Sequence, residues 1–175
     1  QGDGSGKYDR IIIDTLTFLM DMYESQYVLG ARDTMAGWSN YQQYFKELMQ
    51  VHVASSPLEV IFLAHTRTEQ NEKLESMTSV PVKGALKNNG VEAYFSTVVS
   101  TKKVQLTVLK DYQNDLLNIT EDDELLGYKH VFQTRLTKAT VGERIRSPMG
   151  LFTKEQTYID NDAHLLLDHI RAYYA

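Results

Sequence analysis

Two rhythms of apolar and polar residues alternate along this chain: short unbroken apolar runs that mark strands, and apolar positions recurring every three to four residues that mark helices. Residues 8–14 close on Ile11-Ile12-Ile13 and Asp14, which predicts a short parallel strand buried on both faces. Leu16, Leu19, Met20 and Tyr23 then fall at helical spacing, so 15–27 is expected as a core-facing helix with Thr15 able to cap its start. Gly30 and Gly37 lie among polar residues in 28–40, the composition of a loop, with Trp38 as its anchor. A second amphipathic helix runs through Tyr41, Tyr44, Phe45, Leu48, Met49 and His52 to about Ala54, capped by Ser39 or Asn40. After Pro57, the run Leu-Glu-Val-Ile-Phe-Leu-Ala-His over 58–65 reads as a second buried strand. The order strand, helices, strand implies a right-handed crossover in a parallel sheet, and hence an α/β fold.

Further along the pattern weakens. Residues 66–79 are polar and charged without periodicity and too long for a tight connection, so a mobile or ligand-ordered loop is expected. Within 80–100 the chain offers Lys83-Gly84, a short helical stretch near 85–94 and a strand over 95–100. Another strand is expected over 104–109, whereas the acidic, leucine-containing 110–127 reads as an insertion. Residues 128–134 alternate as a strand, 135–149 with Gly142 and Pro148 read as a hairpin or irregular loop, and 162–174 form a closing helix capped near Asn161 or Asp162. Residues 1–7 are glycine-rich with no apolar residue, a flexible leader or cloning remnant, which leaves 8–175 as the folded core.

Composition narrows the functional classes. A formal charge of −5, from 18 Lys+Arg against 23 Asp+Glu, is not that of a protein drawn to nucleic acid as a whole, so any DNA contact requires a local basic patch. With no cysteine, disulfides, thiolate metal sites and cysteine nucleophiles are excluded. Five histidines show no metal-ligand spacing; His164 and His169, five apart, would face different sides of a helix. No apolar stretch is long enough to span a bilayer and no signal segment opens the chain, so a soluble protein without membrane contact is expected in a reducing cytoplasm. Asn118-Ile119-Thr120 matches a glycosylation acceptor by chance composition and has no role there.

Asp14 is the most informative residue, because the C-terminal ends of parallel strands are where open sheets place their ligands. A carboxylate there holds Mg²⁺ in nucleotide hydrolases, opposite a loop whose amides and Lys take the phosphates; the same position also suits a plain strand-end cap. The order Tyr8-Asp9-Arg10-Ile11-Ile12-Ile13-Asp14-Thr15-Leu16-Thr17, then Val60-Ile61-Phe62-Leu63-Ala64-His65-Thr66, resembles the RecA-like ATPases, and among them the phage RecA-family group. Val82-Lys83-Gly84-Ala85-Leu86, the stretch from Thr140 to Pro148 and Tyr158-Ile159-Asp160-Asn161-Asp162 extend the resemblance over nearly all of 8–175.

That resemblance implies a RecA-like, mostly parallel sheet flanked by helices, lacking the N-terminal strand-loop-helix of the core. It makes Asp14 the Walker B acid that positions Mg²⁺, with Thr15 and Thr66 beside the ATP, and His65 the polar sensor of the γ-phosphate. It also implies single-stranded DNA as partner and a homo-oligomeric ring or filament, in phage recombination, annealing or repair within the host cytoplasm. By position Arg67, Lys73, Lys83 and Lys87 are candidates for DNA or inter-subunit phosphate, and Arg144 with Arg146 forms a second basic pair suited to bidentate phosphate contact. Each of the first four reads more readily as a solvated side chain, and the last two also read as partners of Glu143 or Glu155. Aromatics at 41–45 could stack bases, but their spacing is that of a core stripe.

A phosphate-binding loop, Gly, four residues, then Gly-Lys-Ser/Thr, is not in the sequence. Gly2-Asp3-Gly4-Ser5-Gly6-Lys7 is one residue short, is followed by Tyr8, and has no strand before it. A shortened chain, a partner half on a separate polypeptide and a degenerate relative all account for this, and shortening is favoured because Asp14 and His65 persist. Without that loop the chain alone is expected to be inactive as an ATPase. The rival class is a non-catalytic RecA-fold module for DNA binding or assembly.

Overall fold

The computed structural model describes residues 6–70, 72 and 74–175. They fold as two compact units, Gln1–Tyr94 and Phe95–Ala175. The class is α/β, but parallel pairing is confined, among the described residues, to one two-stranded sheet; the other two sheets are antiparallel.

In the first unit β1 (Arg10–Ile13) pairs in parallel with β2 (Glu59–Phe62), in register from Arg10↔Glu59 to Ile13↔Phe62. The isoleucine run supplies the β-branched residues that favour a strand. Burial on both faces is not realised: Ile12 is 61% exposed. Between the two strands lie α1 (Leu16–Tyr23) and α2 (Thr34–Glu47). Each ends in a wider i→i+5 helical segment, over Glu24–Val28 and Leu48–Val53, so Leu29 N–H reaches Glu24 O and Ala54 N–H reaches Met49 O.

The expected loop over 28–40 is largely helix, because Asp33, not Ser39 or Asn40, caps α2 by accepting from the N–H groups of Met35 and Ala36 at 3.0 and 3.1 Å. Trp38 therefore stands on a helix. Gly37 permits α2 to lie against the turn before it, since a Cβ there would come 3.2 Å from Val28 Cα. Leu16, Met20, Val28, Tyr41 and Phe45 are all buried, and Phe45 meets Tyr94 edge to face at 5.1 Å.

The expected loop over 66–79 is instead an antiparallel hairpin, β3 (Arg67–Gln70) with β4 (Ser76–Ser79). It leads through Gly84, at φ +60°, to α3 (Leu86–Asn89) and a 3₁₀ turn, Val91–Tyr94.

The second unit is built on an antiparallel sheet of order β5 (Ser100–Gln105), β6 (Tyr128–Gln133), β7 (Tyr158–Asp160). Instead of a strand over 95–100, β5 begins at Ser100, preceded only by the bridge Val98↔Arg146. The expected strand over 104–109 is divided between the end of β5 and α4 (Leu106–Leu109). Within 110–127, α5 (Glu121–Leu126) carries a capping box between Thr120 and Asp123 and ends at left-handed Gly127. Closing helix α6 (Ala163–Tyr174) is capped by Asp162, as anticipated.

Each sheet face buries a cluster, one of Leu109, Val131 and Tyr158, the other of Leu151, Phe152 and Ile159 with Leu166 and Ile170 of α6. Asn114 fastens the intervening loops: its Nδ2 donates to the carbonyls of Tyr112, Glu155 and Tyr158 at 2.9–3.0 Å. Among the described residues no helix is long and apolar enough to cross a membrane.

Candidate functional site

Parallel pairing brings the C-terminal ends of β1 and β2 side by side, and the backbone continues the pairing past both strands. Leu63 N–H donates to Ile13 O at 3.0 Å, and Leu16 N–H donates back to Leu63 O at 2.8 Å. Asp14 and Thr15, which are joined by a cis peptide, thus leave the sheet next to the segment that carries His65 and Thr66. Asp14, His65 and Thr66 are exposed, while Leu16 and Thr17 just beyond are buried.

Side chains reinforce this arrangement. The Thr15 hydroxyl accepts from Phe18 N–H at 3.3 Å and caps α1, so α1 starts at the tip of β1. Thr17 Oγ1 accepts from His65 N–H at 3.1 Å, fixing the tip of β2 to the first turn of that helix. The His65 ring meets Phe18 edge to face, centroids 5.3 Å apart. Thr17 was not anticipated from the sequence as a positioning residue; its one signal is a hydroxyl two places beyond Thr15 on a helix whose other inward residues are apolar.

The basic candidates of the first unit divide into two groups. Arg67 and Lys87 converge on one carboxylate, that of Glu69, at 3.3 and 3.9 Å, with all three side chains more than half exposed. Such pairs contribute little stability and exchange readily with other anions. Lys83 is held differently, its ammonium 2.8 and 2.7 Å from the two oxygens of Glu24, whose side chain is only 9% exposed. The adjoining Gly84 lies on Trp38, 3.4 Å from its ring if a Cβ is added, and Tyr41 makes a hydrogen bond to the Lys83 backbone. Burial dominates at Tyr41 and pushes its phenol up to about 12. Lys83 is thus engaged in holding its own segment to α1 and α2, a role the sequence did not suggest. Lys73 lies outside the described residues.

Arg144 and Arg146 belong to the second unit, and both are exposed. Arg146 exchanges backbone hydrogen bonds with Val98 at 2.8 and 3.1 Å. Glu143, a potential partner for them, pairs instead with Lys102. The same unit has a hollow of about 330 Å³ lined by Leu106, Leu109 and Leu117 among others, and none of the candidate residues lines it.

The β1–β2 tip offers one exposed carboxylate, hydroxyls at positions 15 and 66, and one imidazole. Among the described residues no group of three or more His, Cys, Asp or Glu could cage a metal. A cation at Asp14 would therefore need most of its ligands from water or phosphate, which suits Mg²⁺, an ion that typically takes one or two carboxylates and shares the rest with a nucleotide. Compared with known families, the chain matches the family model described as an AAA domain over residues 3–142. No curated protein and no solved structure matches it.

Proposed function

The chain belongs to the AAA domain family, a nucleotide-binding ATPase type, and on that footing we propose that it supplies the cation-binding and sensor half of an ATP-dependent, single-stranded-DNA-binding protein of the phage recombination type. The observation that carries this reading is the hydrogen-bonded adjacency of the β1 and β2 tips, which sets Asp14 and His65 on neighbouring strand ends.

In this reading Asp14 holds Mg²⁺ directly or through water, and the ion supplies neutralisation of the nucleotide's phosphate charge. His65 donates one ring N–H hydrogen bond to the γ-phosphate or to the attacking water. Thr66 offers a hydroxyl to the same phosphates. Thr15 contributes through its backbone and through its cap of α1, which keeps the first helical turn from shifting relative to Asp14. Arg67 and Lys87 can exchange the exposed Glu69 for a DNA phosphate or a neighbouring subunit's nucleotide. Lys83 could do so only by leaving a largely buried carboxylate, so its part in phosphate contact is secondary. Arg144 and Arg146 remain available to the same class of ligand. Assembly as a homo-oligomeric ring or filament in the host cytoplasm completes the proposal.

The test is hydrolysis by protein that carries a phosphate-binding loop, in the same polypeptide or as a second one. ATP turnover should rise with single-stranded DNA, and Asp14→Asn should abolish it while leaving the fold intact by circular dichroism. Undiminished turnover in that variant removes Asp14 from the assignment, whereas a loop-bearing parent that hydrolyses no ATP favours a non-catalytic assembly module.

A further inference from the structure

Alternation along the β5–β6 ladder sorts its lysines into two environments. Lys102 and Lys129 point to one face and are neutralised there, the first by Glu143 and the second by Asp123 and Asp160. On the opposite face the register sets Thr101 across from Phe132, Lys103 across from His130, and Gln105 across from Tyr128. None of these six side chains is acidic, in a chain whose net charge is −5. Phe132 is covered, packed with the cluster of Leu151, Phe152 and Ile159 near α6. Lys103 and His130 are exposed and Tyr128 is half-buried. The Lys103 ammonium sits 3.8 Å above the Tyr128 ring, and that ring meets His130 edge to face at 5.7 Å.

We infer that this uncovered part of the β5–β6 face binds single-stranded DNA, with Lys103 taking a backbone phosphate and the His130 and Tyr128 rings taking bases. The inference rests on the DNA-binding reading above and adds a surface that reading did not contain. Charge selects the ligand: six facing side chains that include a lysine and no acid, on an acidic protein, attract a polyanion. The ring pair selects among polyanions, because aromatic side chains offer stacking to bases that an acidic peptide cannot use. A sheet face also suits an extended strand better than a duplex, since successive side chains on it are spaced along one line.

The test is fluorescence anisotropy of a labelled thymidine oligonucleotide titrated with the full chain over a range of salt concentrations. Lys103→Gln should lower the slope of log affinity against log salt by about 0.7, the loss of one single-strand phosphate contact. Lys103→Arg should restore it. His130→Ala should weaken binding by about tenfold at every salt concentration without changing the slope, as loss of one stacking partner does. If both variants bind like the parent while Arg67→Gln and Lys87→Gln weaken binding, this face is not the DNA surface and the DNA-binding reading survives. If the parent chain itself does not bind the oligonucleotide, both are overturned.

Discussion

Removing the two partners of the Glu24–Lys83 pair should have unequal consequences, because their environments differ. The Glu24 side chain is 9% exposed and the Lys83 side chain 58%. Lys83→Met strips a nearly buried carboxylate of a two-oxygen contact at 2.8 and 2.7 Å. Breaking a fully buried pair in this way costs about 3–5 kcal/mol. Here solvent reaches the lysine side of the pair and screens it, so about 1–2 kcal/mol is the expected loss. Glu24→Gln leaves only an ammonium that water can hydrate, and should cost less than about 1 kcal/mol. In the double variant the stranded charge is gone, so its loss should fall short of the sum of the two by about 1 kcal/mol. Urea unfolding followed by tryptophan fluorescence measures all three, and the readout is local: Trp38 is the only tryptophan and lies under Gly84, next to the lysine. Additive losses, or a Glu24→Gln variant as damaged as Lys83→Met, would refute the reasoning.

Two further outcomes follow from the first unit. Thr17→Val deletes the acceptor for His65 N–H while nearly preserving volume, so stability should fall by about 1–2 kcal/mol and hydrogen exchange at the His65 amide should accelerate; an unchanged exchange rate would show that the bond does not hold the β2 tip. Tyr41 has its pKa raised from the ordinary 10.0 to about 12, so the folded state keeps a proton that the unfolded chain releases. Its contribution to stability is therefore complete below pH 10 and disappears as pH rises toward 12. Urea midpoints should drop across that range in the parent and more gently in Tyr41→Phe; equal slopes would sink the assignment.

The parts of the fold legible in the sequence are those where burial and local period agree. Ile11-Ile12-Ile13, the stripe through Tyr41 and Phe45, and the alternation at 128–134 all announce their elements. The β3–β4 hairpin could not be seen because all four residues of β3 are exposed, and its visible tie is a hydroxyl pair, Thr68 with Thr78 at 2.8 Å. An apolar run such as 104–109 fits either regular structure at that length, and the chain changes from strand to helix between Gln105 and Leu106. At the candidate site, polar residues ending apolar runs pointed to Asp14 and His65. What holds them was hidden, because Thr17 and the His65 amide are 48 residues apart and Glu24 and Lys83 are 59 apart. Such pairs leave no periodic trace. Trp38 shows the limit of composition: Gly30 and Gly37 suggested a loop, whereas the Asp33 cap starts a helix that takes in Gly37 and Trp38.

The tips of β1 and β2 are tied mainly by amide-to-carbonyl bonds, so the side chains at positions 14 and 65, proposed above to act on the nucleotide, carry little of the job of staying in place. Reactivity and placement are thereby separable. A panel exchanging only those two side chains for other acids, amides or imidazole substitutes would inherit a single backbone, and differences in nucleotide turnover across the panel would measure reactivity with geometry held constant.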